Sequence, residues 1–138
     1  MRQTPIFTIA GTGMTVAYQF EITVRPEYMA EHSAPETEQY VFAYHISIRN
    51  IGHKTATLMQ RHWIITDANA KVEEVRGDGV IGEQPSIEPG CEHCYSSFCV
   101  LDTPLGCMQG SYAMMGEDGE AFEASIPAFT LAKAGILH

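Results

Sequence analysis

RGDGVIGEQPSIEPG, residues Arg76 to Gly90, carries glycines at 77, 79 and 82. That is G-x-G-x-x-G, the spacing that cradles a pyrophosphate in dinucleotide-binding proteins. The fingerprint works between a strand and a helix, because the phosphate rests on the unpaired N–H groups and positive dipole end of the helix. KVEEVR, residues 71–76, supplies the strand. No helix can follow, since Pro85 and Pro89 stand four residues apart directly after the glycines. Proline lacks the N–H a helix needs and forces the residue before it out of helical geometry. A βαβ unit is excluded, and with it a Rossmann domain. Two readings of the glycines survive. They supply left-handed backbone that other residues adopt at a cost, or their N–H groups form a concave anion nest. Arg76 favours the second, and Asp78 and Glu83 oppose it.

The rest of the chain reads in period two. In YQFEITVR (18–25), Tyr18, Phe20, Ile22 and Val24 alternate with polar residues. In YVFAYHISIRN (40–50), Phe42, Tyr44, Ile46 and Ile48 share one face, and Val41, Ala43, His45, Ser47 and Arg49 the other. Both are half-buried strands. Turn signals recur at short intervals. NIGHK surrounds Gly52, TDANAK divides RHWIIT from KVEEVR, and Pro89-Gly90 precedes EHCYSSFCV. Pro104-Leu105-Gly106 follows that segment, and GEDGE (116–120) separates GSYAMM from AFEASI. Two of these are hairpins. Seven or eight such strands predict an antiparallel β-sandwich or barrel. Residues 1–17 read as a loose N-terminal tail, Arg25 to Gln39 as a long exposed loop, and 18–138 as one domain without internal repeats.

At 138 residues the chain is one domain long and 45% hydrophobic. A formal charge of −9 with 8 Lys+Arg repels phosphate backbones and anionic lipid, which disfavours a nucleic-acid binder and a membrane-surface protein. No apolar run reaches bilayer length, and the first residues do not read as a signal peptide, so a cytoplasmic location with reduced thiols is expected.

Metal and catalytic signals are weak. Cys91 and Cys94 form C-x-x-C, but only Cys99 and Cys107 remain as further thiol ligands, and no helix N-terminus is present for a redox pair. The six histidines, at 32, 45, 53, 62, 93 and 138, fall in no ligand spacing. No nucleophile–base order is defensible, so no catalytic residues, metal ligands or cofactor are assigned.

Several segments together resemble the ApaG family. They are Tyr40–Tyr44 with Ile48-Arg49-Asn50, RHWIITD (61–67), EVRGDGVIGEQPSIEPG (74–90), TPLG (103–106) with Met108, Gly110 and Tyr112, and terminal Leu137-His138. The similarity covers residues 19–138. It implies an immunoglobulin-like β-sandwich of the fibronectin type III kind, in a bacterial, cytoplasmic, single-domain protein. It also implies an association with cobalt resistance and magnesium efflux and a gene beside a diadenosine tetraphosphate hydrolase. Similar domains in eukaryotic F-box and polymerase-delta-interacting proteins suggest a protein-interaction module, and no enzymatic activity is established for the family. The chain departs from the family pattern at Phe98, where glycine is usual, at Ala134, where proline is usual, and in its cysteines at 91, 94 and 99.

The expected function is therefore a non-enzymatic binding module for a protein partner. Its contact surface is expected on Arg61, His62, Arg76, Gly77, Gly79, Gly82, Gln84 and Pro85. The alternatives are a pyrophosphate or dinucleotide sensor using Gly77–Gly82, and direct divalent-metal binding. An exposed sheet edge would also allow a homo-oligomer.

Overall fold

The computed structural model describes residues 6–9 and 17–136. Two antiparallel sheets face each other. The first has the order β1 (Ile6–Ile9), β2 (Gln19–Tyr28), β3 (Tyr40–Asn50), β7 (Glu92–Leu101). The second has the order β5 (Val72–Asp78), β4 (Ala56–Asp67), β8 (Leu105–Gly116), β9 (Ala121–Ala132). A two-residue strand, β6 (Ser86–Ile87), pairs with the start of β4. The sandwich is of the immunoglobulin-like, fibronectin type III kind, as expected. β1 falls within the stretch read as a tail, and residues 1–5 and 10–16 of that stretch lie outside the described residues, as do Leu137 and His138.

Alternation builds the core. Phe20, Ile22 and Val24 of β2 and Phe42, Tyr44, Ile46 and Ile48 of β3 point inward. They meet Trp63 and Ile65 of β4, Met108 and Tyr112 of β8, and Phe129 and Leu131 of β9. Tyr44, Trp63 and Phe129 form an aromatic triangle with centroids 5.3, 6.0 and 6.2 Å apart. Such contacts add about 0.5–1.5 kcal/mol each beyond area burial.

The exposed loop predicted from Arg25 starts later, because β2 runs to Tyr28 and carries Pro26 in its interior. Ile51 N donates to Gln19 O and Met29 N to Val41 O, so the odd residues of β2 bond to β3 and the even ones face away. Among the described residues β1 pairs only with Gln19–Ile22, so the N–H that Pro26 lacks would have pointed at an edge that no described residue pairs. Its ring is buried in phase with Ile22 and Val24.

Turn chemistry closes the hairpins. Between β4 and β5, Asp67 Oδ1 accepts from Asn69 N at 2.8 Å and Lys71 N at 3.0 Å. The left-handed residue there is Ala70, with φ 65. An L-residue in that region costs about 1–2 kcal/mol, part of which glycine loses again to unfolded-state entropy. Ala70→Gly should therefore stabilise by about 0.5–1 kcal/mol, a rise of roughly 2–3 °C in Tm. An unchanged or lower melting temperature would contradict this.

In the β8–β9 turn, the Tyr18 hydroxyl donates to Asp118, and Lys54 Nζ reaches the other carboxylate oxygen at 3.1 Å. The Tyr18 hydroxyl first, then the Lys54 ammonium, pull the Asp118 carboxyl down to about 2. Its folded value thus lies below the ordinary ~3.9 of an unfolded aspartate. The resulting stability is complete above roughly pH 4 and disappears as pH falls through the folded value. Asp118→Asn should flatten the acid destabilisation between about pH 4 and pH 2 in urea unfolding series. Parallel pH profiles of variant and parent would remove Asp118 from the account.

Candidate functional site

β4 carries an extra residue at Met59. Its register against β8 shifts between Leu58 and Gln60, which moves the inward positions from Ala56 and Leu58 to Trp63 and Ile65. The glycine loop docks onto this bulge. Gly79 N donates to Met59 O at 2.8 Å, Gln84 Nε2 donates to the same oxygen at 2.9 Å, and Leu58 N donates to Pro85 O at 2.9 Å. Val80 N and Glu83 N exchange bonds with each other's carbonyls at 2.8 and 3.0 Å. Arg61 Nη1 donates to Asp78 O at 3.1 Å and Gly79 O at 3.0 Å.

Close approach to backbone requires glycine at 79, whereas at 77 a side chain would meet only the movable end of Arg61. A Cβ on Gly77 would stand 2.7 Å from the Arg61 guanidinium carbon. A Cβ on Gly79, at φ +60, would stand 2.1 Å from Glu83 O. Gly82, at φ +75, has open space around it and needs only the left-handed backbone. The loop leads into β6, with no helix after it. Geometry is thus served first, and three N–H groups of the would-be nest are already bonded to carbonyls.

The eight candidate contact residues divide between two places. Gly79, Gly82, Gln84 and Pro85 belong to the docked loop, and Arg61 of β4 and Gly77 of β5 lie against it. Under it lies a cleft of about 150 Å³ between the sheets, lined by Tyr44, Arg61, Trp63, Val80, Ile81, Gly82, Tyr95 and Ser97. The Tyr95 and Tyr112 hydroxyls meet at 2.5 Å behind it and link the two sheets. His62 and Arg76 face an outer groove of about 320 Å³, which Arg61 and Gly77 also border, together with Gln60, Asp78, Ser111 and Glu123. There His62 Nε2 bonds Glu74 Oε2 at 2.5 Å, and Arg76 Nη2 donates to the same oxygen at 3.2 Å. The His62 bond first, and the Arg76 charge behind it, hold the Glu74 carboxyl below the usual range.

Three features escaped the sequence reading. Ile81, at the loop tip, has φ 48 and is 59% exposed, an outlier for a β-branched residue. Asn50 is fully buried. On the outer face of the first sheet, His45 Nδ1 bonds Ser96 Oγ at 2.6 Å and Nε2 bonds Glu27 Oε1 at 2.9 Å. A serine, a histidine and a carboxylate in series have the connectivity of a nucleophile, base and orienting group. Strand N–H groups, however, lie in the sheet plane, at right angles to the side chains rising from it, and give Ser96 no oxyanion donors. The relay ties β2, β3 and β7 together, and its His45 bond keeps the Glu27 carboxyl below the usual range.

Among the described residues, no three His, Cys, Asp or Glu side chains gather to hold a metal ion. Cys91, Cys94 and Cys107 are exposed and unlinked. Burial, with the Glu73 carboxylate behind it, pushes the Cys99 thiol up to about 12, far from thiolate chemistry near neutral pH. No helix among the described residues is long and apolar enough to cross a membrane.

Comparison with known proteins agrees with this architecture. A crystal structure of a Bordetella pertussis protein, 45% identical, superposes with a TM-score of 0.85 over 88% of this chain and 98% of that one. Protein ApaG of Thiobacillus denitrificans is 54% identical over 121 residues, 88% of this chain and 95% of the relative. Protein ApaG of Aromatoleum aromaticum is 53% identical over the same share. The family model described as the ApaG domain matches residues 30–116, from the end of β2 through β8 and including the whole glycine loop. The chain belongs to the ApaG domain family.

Proposed function

We propose that the chain is a binding module, not an enzyme, and that the loop from Gly79 to Glu83, with the cleft beneath it, receives a protein partner. Ile81 carries this reading. A β-branched side chain is held in the left-handed region and left in water. Backbone strain of this kind costs about 1–3 kcal/mol and persists only where the surroundings enforce it. Here the Met59 bulge, Arg61 and Gln84 enforce it. In the free chain the exposed apolar tip gains nothing; against a partner it becomes buried contact area.

Affinity capture from a bacterial lysate with wild type, Ile81→Asp and Val72→Asp tests the reading. Val72 is 62% exposed on β5, outside the loop, and serves as the control. Ile81→Asp should lose the specifically captured proteins, and Val72→Asp should keep them. Identical capture by all three chains would remove the loop as the contact. A pyrophosphate or dinucleotide ligand draws less support, since the N–H groups of Gly79, Val80 and Glu83 are engaged and Nη1 of Arg61 is bonded to the carbonyls of Asp78 and Gly79.

A further inference from the structure

We propose that the partner binds as an extended peptide added to the free edge of β7, with one apolar side chain in the cleft under the glycine loop and basic residues at its flanks. This rests on the loop-contact reading and names the chemistry of what the loop meets.

Among the described residues β7 is the last strand of its sheet. Its hydrogen-bond phase follows from the bulge at its start. Gly90, at φ +83, donates to Asn50 O, and Asn50 N donates to Cys91 O. With the register of Ile48 on His93 and Ile46 on Tyr95, the odd residues of β7 exchange bonds with β3. The N–H and C=O groups of Cys94, Ser96, Phe98 and Val100 therefore point to the open side. Such a row, repeating every second residue, is matched by another extended backbone.

Sheet edges are ordinarily guarded by charge, proline or a bulge. From Cys94 to Leu101 this strand holds no charged residue and no proline, and its pairing with β3 is unbroken. Phe98 and Val100 are 69% and 50% exposed. An edge left open in this way, beside a cleft, is suited to accept a strand.

The cleft opens beside the same edge. Tyr95 and Ser97 of β7 line it together with Tyr44, Arg61, Trp63 and Ile81, around about 150 Å³. That is roughly the space of one aromatic ring or branched aliphatic side chain. Charge selects the flanks. Glu92 stands at one end of β7, and at the other Glu73 and Asp67 share a recess with Val100, Leu101 and the Lys71–Asp102 ion pair, three acids against one lysine. In a chain of net charge −9, lysine or arginine on either side of an apolar centre is the complementary pattern.

The probe is a displayed library of random linear peptides selected on the immobilised chain, with enriched sequences resynthesised. Trp63, the single tryptophan, lines the cleft and reports binding by fluorescence. Enriched peptides should alternate apolar residues between basic flanks. Methylating their backbone nitrogens one at a time should weaken binding by roughly tenfold at every second residue and hardly at the others. Phe98→Pro, which deletes one edge N–H, should weaken binding roughly tenfold, and Phe98→Ala, which keeps it, by less than about threefold. The methylation series alters only the peptide and so does not depend on the variant folding. No enrichment, a methylation pattern without the two-residue period, or equal binding by Phe98→Pro and wild type would overturn the proposal. Self-association of the chain abolished by Phe98→Pro would make the occupant a second copy and overturn it equally. Loss of capture in Ile81→Asp with an aperiodic methylation pattern would leave the loop contact standing and remove the strand addition. The opposite pair of results would remove the loop contact alone.

Discussion

Asn50→Leu should lower the unfolding free energy by about 3 kcal/mol and the melting temperature by roughly 10 °C. The Asn50 side chain is the knot of one end of the sandwich. Its Nδ2 donates to Lys54 O and Ile87 O, both at 2.8 Å, and its Oδ1 accepts from Gly52 N at 2.9 Å. Its backbone meanwhile accepts from Gly90 N and donates to Cys91 O. One residue thus holds the β3–β4 turn, β6 and the start of β7. Leucine has similar volume but withdraws the side-chain partner from three backbone groups, of which Ile87 O keeps its place in the β4–β6 pairing. A group left without a partner costs about 1–3 kcal/mol when buried, and the more open turn around Gly52 recovers some of this from water. Asn50→Asp distinguishes hydrogen bonding from shape. A carboxylate would face two carbonyl oxygens, so that variant should be at least as unstable near neutral pH and regain stability as acid restores a donor. Chemical unfolding of both variants across pH checks this. A leucine variant within about 1 kcal/mol of wild type would mean that the side-chain bonds of Asn50 add little.

Gly79→Ala should cost about 3 kcal/mol, against about 1 kcal/mol for Gly82→Ala, both by urea denaturation. Both glycines have positive φ, so both lose the left-handed allowance. Only at Gly79 does the new methyl strike backbone, 2.1 Å from Glu83 O and 2.8 Å from Glu83 C. Relief requires moving the carbonyl that receives Val80 N, which loosens the docking on Met59. Equal losses at the two positions would show that conformational preference alone demands glycine, and that the close approach of Glu83 is soft. The difference also bears on the partner surface, since a loosened loop would no longer hold Ile81 at its strained tip.

Much of this was legible beforehand, for identifiable reasons. YVFAYHISIRN alternates without a break, and period two leaves one assignment of faces, which β3 adopts. Pro85 and Pro89 forbid a helix by covalent geometry, whatever surrounds them. Pro26 misled for the converse reason. It reads as a breaker, and only the pairing of β2 shows that its missing N–H would have faced away from β3.

The candidate site was less legible. Arg61 and His62 are neighbours in sequence and both border the outer groove, yet adjacent strand residues face opposite ways, so only Arg61 also reaches the loop and cleft. The bulge at Met59 left one trace, the change from even to odd inward positions between Leu58 and Trp63. Its role as the dock for Gly79 and Gln84 depends on a segment some twenty residues later in the chain.

What the sequence alone determined was the all-β architecture, the inward faces of its strands and the exclusion of a helix after the glycines. These follow from side-chain period and from proline's covalent limits, which act locally. Only the tertiary structure decided that Asn50 is buried, that Arg61 closes over Gly77, that Ile81 is held strained in water, and that the edge of β7 stays open beside a cleft. Each of these depends on which carbonyls and side chains the fold brings within reach, and no local pattern encodes contacts between strands that meet only when the sheets close.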